Sequence, residues 1–450
     1  MNSKSELSWE EIQQITDKVV FNVTGNHLSD IETEVLRGAS EGNTYDEIGE
    51  KLHLTGIYIN KDVGNPLWKK LSDGLREEVS KKNFKQALKR YGDKQGSFGN
   101  TISLKNSDLE LPGGRIPLKS RFYIERKDVE SLCYETIKYP GALIRIKAPQ
   151  EMGKTSLLER ILAFSEQQNY QIVSLSFETD SKVLSDIQIF LRYFCASVSK
   201  RLGIPNKLDD YWDEILGCND NTTNYFEEYL LAELNNPLVL ALDKVDFIFE
   251  QAEIATDFCR LIRAWHDLAT RSGNRGDIWK KLRLIIVHST EVYSSLDINY
   301  SPLQGVGQII ALEELNREQI IELARRYELN LVNTEIEQLM NLIGGHPHLI
   351  RLALYYLKRQ EVSLEKLLQI ASTEVSPFRA HLRQHLWNLQ QHPELAATFC
   401  QVVTTLAPVR LKSKEAFKLQ SMGLIKTQSD DWSPSCNLYR QYFSSQLGDI

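Results

Sequence analysis

Between residues 1 and 91 apolar positions recur every three or four residues, the period of helices that bury one face. Ser8 is the expected cap of a first helix, with Glu11 as its capping-box partner. A second helix is predicted over 29–40 on Ile31, Val35 and Leu36. Glu41-Gly42-Asn43 ends it, and Thr44 caps a third helix with Tyr45, Ile48 and Leu52 on its apolar face. A turn over 53–56 leads to a further segment carrying Ile57, Ile59, Val63, Leu67 and Trp68, so the module reads as a helix-turn-helix. Gly64 and Pro66 are awkward inside an unbroken last helix.

The pattern then changes twice. Residues 92–120 are rich in Gly, Ser, Asn and Pro and read as a linker. From 121 to 313 apolar runs alternate with helical periods. Strands are predicted at 142–147, 171–177, 238–242, 282–288 and 308–312, and helices near 155–166, 184–202, 222–235 and 252–271. Strands interleaved with helices predict an α/β fold with a parallel sheet covered on both faces. Residues 314–375 read as a helical lid. Residues 376–450 read as helices followed by a strand-turn-strand at 424–427 and near Trp432, a winged-helix-like module.

Composition narrows the classes. The net charge of -7 argues against a chain that coats nucleic acid over its whole surface. No apolar run reaches the roughly 18 residues a membrane span needs, and the polar start MNSKSELSWEEIQQ has no signal-peptide core, so a cytoplasmic protein without membrane partners is expected. The six cysteines are scattered without a CxxC pair, which fits reduced thiols rather than a disulfide framework or zinc site. His381 and His385 are four apart but lack the HExxH glutamate, and read as a polar helix face.

The chemistry concentrates at Ala148-Pro149-Gln150-Glu151-Met152-Gly153-Lys154-Thr155, between the predicted strand ALIRIK and the helix TSLLERILAF. A strand end, a loop of inward amides and a helix N-terminus make a phosphate cradle, the P-loop. Lys154 is expected to reach the β and γ phosphates of ATP, and Thr155 to coordinate Mg2+. Ala148 stands where a glycine is usual, which is tolerable at negative φ. The apolar run 237–242 ends in Asp243, placed to hold Mg2+ through water. The next residue is Lys244, where hydrolysing ATPases usually carry Glu, so binding is better founded than turnover; Asp246 and Glu250 are the nearby substitutes. Ser289 and Thr290 follow the strand LRLIIVH and are candidate γ-phosphate sensors, against simple loop capping. Gly344-Gly345-His346-Pro347 joins two helices.

These segments together resemble a family. FYIER (122–126), IRIKAPQEMGKTSLL (144–158), LVLALDKVD (238–246), VHSTEVY (287–293) and GGHPHLIRLAL (344–354) are similar to AAA-like bacterial P-loop ATPases of the STAND class. DEIGEKLHLTGIYINKDVGNPLWKKLS (46–72) is similar to the N-terminal helix-turn-helix of vWA-MoxR-associated proteins. The resemblance implies an ATP-controlled switch whose lid and winged helix fold over the nucleotide. It implies Lys154, Thr155, Ser156 and the rest of loop 148–155 on phosphate, Thr155 and Asp243 on Mg2+, Arg126 beside the base with Phe122 and Tyr123, and His346 and Pro347 touching nucleotide from the lid. Lys244 departs from its pattern.

Residues 1–91 are nearly balanced in charge, and the run Lys81, Lys82, Lys85, Lys89, Arg90 is commonly a solvated face, so protein partners are favoured over DNA for this module. Arg260, Arg263, Arg271 and Arg275 are candidates for a trans arginine in a homo-oligomer formed on ATP. The rival readings are a DNA-associated initiator or transposition regulator and a non-hydrolysing, ATP-binding adaptor.

Overall fold

The computed structural model describes residues 9–24, 28–52, 54–75, 77–94, 109–178, 182–291, 303 and 305–448. The chain divides into two compact units, Met1–Gly113 with Arg379–Arg383, and Gly114–Phe378 with Gln384–Ile450.

The first unit is helical: α1 (Trp9–Thr24), α2 (Asp30–Glu41), α3 (Tyr45–Leu52), α4 (Gly56–Tyr58), α5 (Asn65–Leu75) and α6 (Phe84–Lys94). Ser29 and Glu32 form a reciprocal capping box on α2, and Gly42 closes it at φ 88°. The expected cap at Ser8 lies outside the described residues, as does the side chain of Glu11. Gly64 and Pro66 do not break the last helix. α4 runs through a π-helical turn, Ile59–Gly64, straight into α5. There Asn65 N–H donates to Asn60 O, five residues back, and Pro66 follows directly on this widened turn, which accommodates it. Val20, Leu36, Ile59, Leu67, Leu71 and Leu88 are fully buried in the shared core. Lys81 and Lys85 of the basic run donate to the carbonyls of Asn43 and Ser40 at the end of α2, an arrangement that suits the negative pole of a helix. Leu54, Ile57 and Tyr58, at the turn into α4, are exposed.

The second unit opens with α7 (Lys127–Thr136), β1 (Leu143–Ala148), α8 (Lys154–Gln167), β2 (Gln171–Ser176), α9 (Ile187–Leu202), α10 (Leu208–Tyr211) and α11 (Cys218–Asn224). It continues with β3 (Leu238–Asp243), α12 (Asp246–Phe249), α13 (Ala252–Ala269), α14 (Asn274–Trp279), β4 (Leu282–Ser289) and β5 (Gln308–Ala311). The five strands are parallel, in the order β2-β3-β4-β1-β5. Alternation along β4 supplies both faces: Leu284 and Ile286 join a core with Phe194, Phe226 and Trp265, while Ile285 and Val287 join one with Leu157 and Ile161. The helix expected at 222–235 begins earlier, at Cys218, and passes into a π-helical turn, Tyr225–Leu230, whose Tyr225 and Phe226 are fully buried. Residues 114–120, in the stretch read as linker, lie along α8: Ile116 N–H donates to Ser156 Oγ at 2.9 Å, and Arg160 donates to Ile116 O and Pro117 O.

Helices α15 (Arg317–Arg326), α16 (Asn333–Ile343), α17 (Pro347–Lys358) and α18 (Leu364–Ile370) follow the sheet. Then come α19 (Arg379–Gln390), α20 (Pro393–Thr404), α21 (Ser413–Ser421), the antiparallel pair β6 (Ile425–Gln428) and β7 (Asp431–Pro434), and α22 (Asn437–Leu447). Helices α7, α10, α12, α14 and α22 were not expected from the sequence. In α22 the buried Leu438, Tyr439, Tyr442, Phe443 and Leu447 do keep helical spacing, but aromatics favour strands as readily. His381 and His385, read as a polar face, are both buried; His385 meets Tyr439 edge-on at 5.8 Å. No helix among the described residues is long and apolar enough to cross a membrane.

Candidate functional site

The carboxyl ends of β1, β3 and β4 converge because the strands are parallel and in register. Ala148 pairs with Ser289 across β1 and β4, and Asp243 ends the adjoining β3. In an open parallel sheet this edge is where ligands sit. The chain leaves β1 at Ala148, which keeps negative φ, and returns as α8 beginning at Lys154. Glu151 and Gly153 take positive φ, 59° and 94°. At Gly153 that conformation suits a residue without Cβ; at Glu151 it is strained. No side chain caps α8, so the amides of its first turn are left for something else.

Within this loop Lys154 Nζ donates to Ala148 O at 3.0 Å and to Pro149 O at 2.7 Å. Thr155 Oγ1 donates to Asp243 Oδ2 at 3.2 Å, and Asp243 Oδ1 accepts from Lys244 N–H at 2.9 Å. Burial holds the Lys154 ammonium below its ordinary pKa, while Glu291, Asp246, Asp243 and Glu151 pull the other way. Burial likewise raises the Asp243 carboxyl above the usual range, against the bonds from Lys244 and Thr155. Burial thus disfavours the charged form of each group, and the neighbours named offset part of that cost. Asp246 Oδ1 accepts from Ser289 N–H at 3.0 Å, and Gln150 N–H donates to Glu291 Oε1 at 3.2 Å.

Lys154, Thr155, Asp243, Asp246 and Ser289 are therefore gathered at one edge. Other expected residues are oriented differently. The Thr290 hydroxyl, buried, donates to Ser421 O at 2.6 Å rather than facing the loop. The Ser156 hydroxyl accepts from Ile116. Arg126 spans the loop and the segment that follows β5, donating to Met152 O and Glu313 O, both at 3.2 Å. Phe122 packs at a tilt against Tyr327 at the end of α15, ring centroids 4.2 Å apart, and the Tyr123 hydroxyl donates to Glu130. His346 caps α17, accepting from Leu349 N–H, with Pro347 as the first helical residue. One position along, His348 Nε2 lies 3.5 Å from Glu151 Oε1.

Three features escaped the sequence reading. Lys244, at φ 55°, forms an ion pair with Glu178, the second residue beyond β2. Glu291 receives the loop amide of Gln150. The loop is also covered by the last module: a Cβ on Gly423, φ 74°, would come within 3.1 Å of Pro149 Cγ, and Gln384 Nε2 donates to Gln150 Oε1 at 2.6 Å. None of these had a local signal, since each joins residues far apart in the chain.

The strand order and the strand-loop-helix cradle define a P-loop NTPase fold. More narrowly, the model of the AAA-like domain matches residues 111–445, and the chain belongs to that family. Residues 7–91 match the vWA-MoxR associated protein N-terminal HTH. No curated protein matches the sequence. Among solved structures, the Walker-type ATPase PABY2304 of Pyrococcus abyssi superposes with a TM-score of 0.52 at 12% identity, covering 74% of this chain and 99% of its own. Cdc6p from Pyrobaculum aerophilum gives a TM-score of 0.36 at 15% identity, covering 77% and 99%. AMPPCP-bound DnaA from Aquifex aeolicus gives 0.33 at 15%, covering 66% and 77%. At these identities the likeness concerns the fold.

Proposed function

We propose that the protein is an ATP-binding switch of the STAND type, with the nucleotide on loop 148–155. The observation that carries this reading is the meeting of the Lys154 ammonium, the Thr155 hydroxyl and the Asp243 carboxylate at the uncapped start of α8. Thr155 Oγ1 and Asp243 Oδ2, 3.2 Å apart, suit Mg2+, Thr155 as a direct ligand and Asp243 through water. The ion would neutralise phosphate charge there. On binding, Lys154 exchanges the carbonyls of Ala148 and Pro149 for phosphate oxygens, and the free amides of α8 accept the same charge. Arg126, held over the segment of Phe122 and Tyr123, lies beside the base, and Ser289 faces the terminal phosphate.

Turnover is slow on this reading. The residue after Asp243 is a lysine committed to Glu178, and Asp246 is tied to the Ser289 amide. The lid and the winged-helix module both touch the loop, through His348 with Glu151 and through Gly423 with Pro149. Nucleotide occupancy therefore biases their position, as a switch requires. The modules proposed are 1–91, a linker 92–120, an ATPase core 121–313, a lid 314–375 and a winged helix 376–450.

For the N-terminal module we favour a protein partner. Leu54, Ile57 and Tyr58 expose apolar surface where a DNA reader would present polar groups, and Lys81 and Lys85 are spent on α2. Self-association on ATP belongs to the same proposal. ATP titrations with and without Mg2+ test it: Mg2+ should tighten binding to the wild type and have little effect on Thr155→Val. Equal Mg2+ dependence in both would reject the assignment. ATP-dependent binding to duplex DNA that falls steeply with salt would favour the initiator reading instead.

A further inference from the structure

Strand β2 brings one more carboxylate, Glu178, to the ligand edge of the sheet. Along β2 the side chains alternate between the two faces. Val173, Leu175 and Phe177 pack with Phe194 and Trp265 on one face, and Ile172 packs with Leu157 and Ile161 of α8 on the other. The neighbouring β3 alternates in step: Leu240 and Leu242 share the first face, Val239 and Ala241 the α8 face. The register pairs Ser176 with Asp243, so both belong to the α8 face, where the Asp243 carboxylate meets Thr155. Pairing extends one residue further, with Phe177 N–H donating to Asp243 O at 3.2 Å. Glu178 follows Phe177 and therefore returns to the face of Ser176, Asp243 and the P-loop, just beyond the end of the strand.

The other acids at this edge are fixed by backbone bonds. Asp246 accepts from the Ser289 amide, and Glu291 from the Gln150 amide. Glu178 is held differently. Its side chain is 60% exposed, and among the described residues its one partner is the Lys244 ammonium, itself 44% exposed. An ion pair this open to water is weak and readily exchanged. Lys244, at φ 55°, leaves the line of β3 directly after Asp243. The position that lacks its usual glutamate is thus the one that grips a glutamate from the next strand.

We infer, on the reading that ATP occupies loop 148–155, that Glu178 is the carboxylate that activates water for its hydrolysis and that Lys244 restrains it. Glu178 accepts a proton from water as the water oxygen bonds to the γ phosphorus. The bond from that phosphorus to the β–γ bridging oxygen breaks, and ADP leaves with its electron pair. The proton then passes to solvent as inorganic phosphate is released. The Lys244 ammonium opposes this step because it occupies Oε2 of Glu178, an oxygen that would take the proton. The pair is therefore a brake on turnover, and what releases it is the departure of Lys244 rather than a change in ATP binding.

The test compares full-chain wild type, Lys244→Met, Glu178→Gln and the double variant. Three quantities are measured: steady-state phosphate release, affinity for a fluorescent ATP analogue, and affinity for ADP with aluminium fluoride, which mimics the phosphoryl group in transfer. Met keeps an unbranched side chain at φ 55° and removes the ammonium. The two single variants should move in opposite directions. Lys244→Met raises turnover about tenfold or more, since a positioned base contributes roughly 10²–10⁴, and Glu178→Gln lowers it below wild type. The double variant loses the gain. Lys244→Met should bind ADP with aluminium fluoride more tightly than ADP alone, and adding Glu178→Gln should remove that preference. A pair that merely ties β2 to β3 gives the same change from either side and leaves the fluoride preference untouched. That result, or a gain in Lys244→Met that survives Glu178→Gln, overturns the role of Glu178 while ATP binding stands. Absence of ATP binding in wild type overturns the P-loop reading and this role with it.

Discussion

Replacing Thr290 by Val separates two roles for a residue that sequence alone places among γ-phosphate sensors. The substitution keeps the shape of the side chain and removes its hydroxyl. In the structure that hydroxyl donates to Ser421 O at 2.6 Å, joining the end of β4 to the end of α21, and Thr290 is 9% exposed. Its loss leaves a buried carbonyl unsatisfied, a penalty of about 1–3 kcal/mol. A penalty confined to the docked arrangement shifts the docked-to-undocked ratio about tenfold for each 1.4 kcal/mol. Hydrogen exchange of 413–447, compared with the sheet, reads that shift directly. The expected result is faster exchange in α21 and the wing of Thr290→Val, with ATP and ADP affinities changed in parallel or raised. If exchange in that segment is unchanged and ATP affinity falls selectively relative to ADP, Thr290 acts on the γ phosphate and the docking argument fails.

Lys244→Glu, combined with Glu178→Gln to avoid facing carboxylates, should raise ATP turnover by about tenfold or more, since a positioned general base typically contributes 10²–10⁴; steady-state phosphate release measures it, and unchanged turnover would place the limit elsewhere. Acid should destabilise the sheet unit through His288, whose imidazole burial pushes down to about 4, helped by Arg145, Lys154 and Lys147. The folded state holds it neutral while the unfolded chain protonates near 6.5, so its contribution is full above that value and declines as pH falls towards 4. The total is about 3 kcal/mol, and denaturant melts across that range should show a shallower decline in His288→Gln.

The fold was legible because its signals are local. Each of the five strands lies within two residues of its expected position at either end, since short apolar runs bounded by polar turns are a local signal, both in β3 and β4, buried on both faces, and in the half-exposed edge strands β2 and β5. Loop 148–155 was equally plain, because strand, loop and helix are contiguous. What could not be read depends on tertiary contact. Lys244 and Glu178 are 66 positions apart, and Thr290 and Ser421 are 131 apart. Nothing in either neighbourhood foretells the partner. Pro66 misled for a different reason: a π-helical turn absorbs it, and such turns have no clear sequence signature. The lysines at 81 and 85 looked like a charged face, yet they close the end of α2.

The proposed grip on triphosphate by backbone amides and one ammonium is tested most directly by titrating a fluorescent ATP analogue into wild type and Lys154→Ala. Loss of a buried charged donor predicts affinity at least about tenfold weaker in the variant, with circular dichroism and melting temperature intact. Equal affinities in two equally folded samples would contradict it.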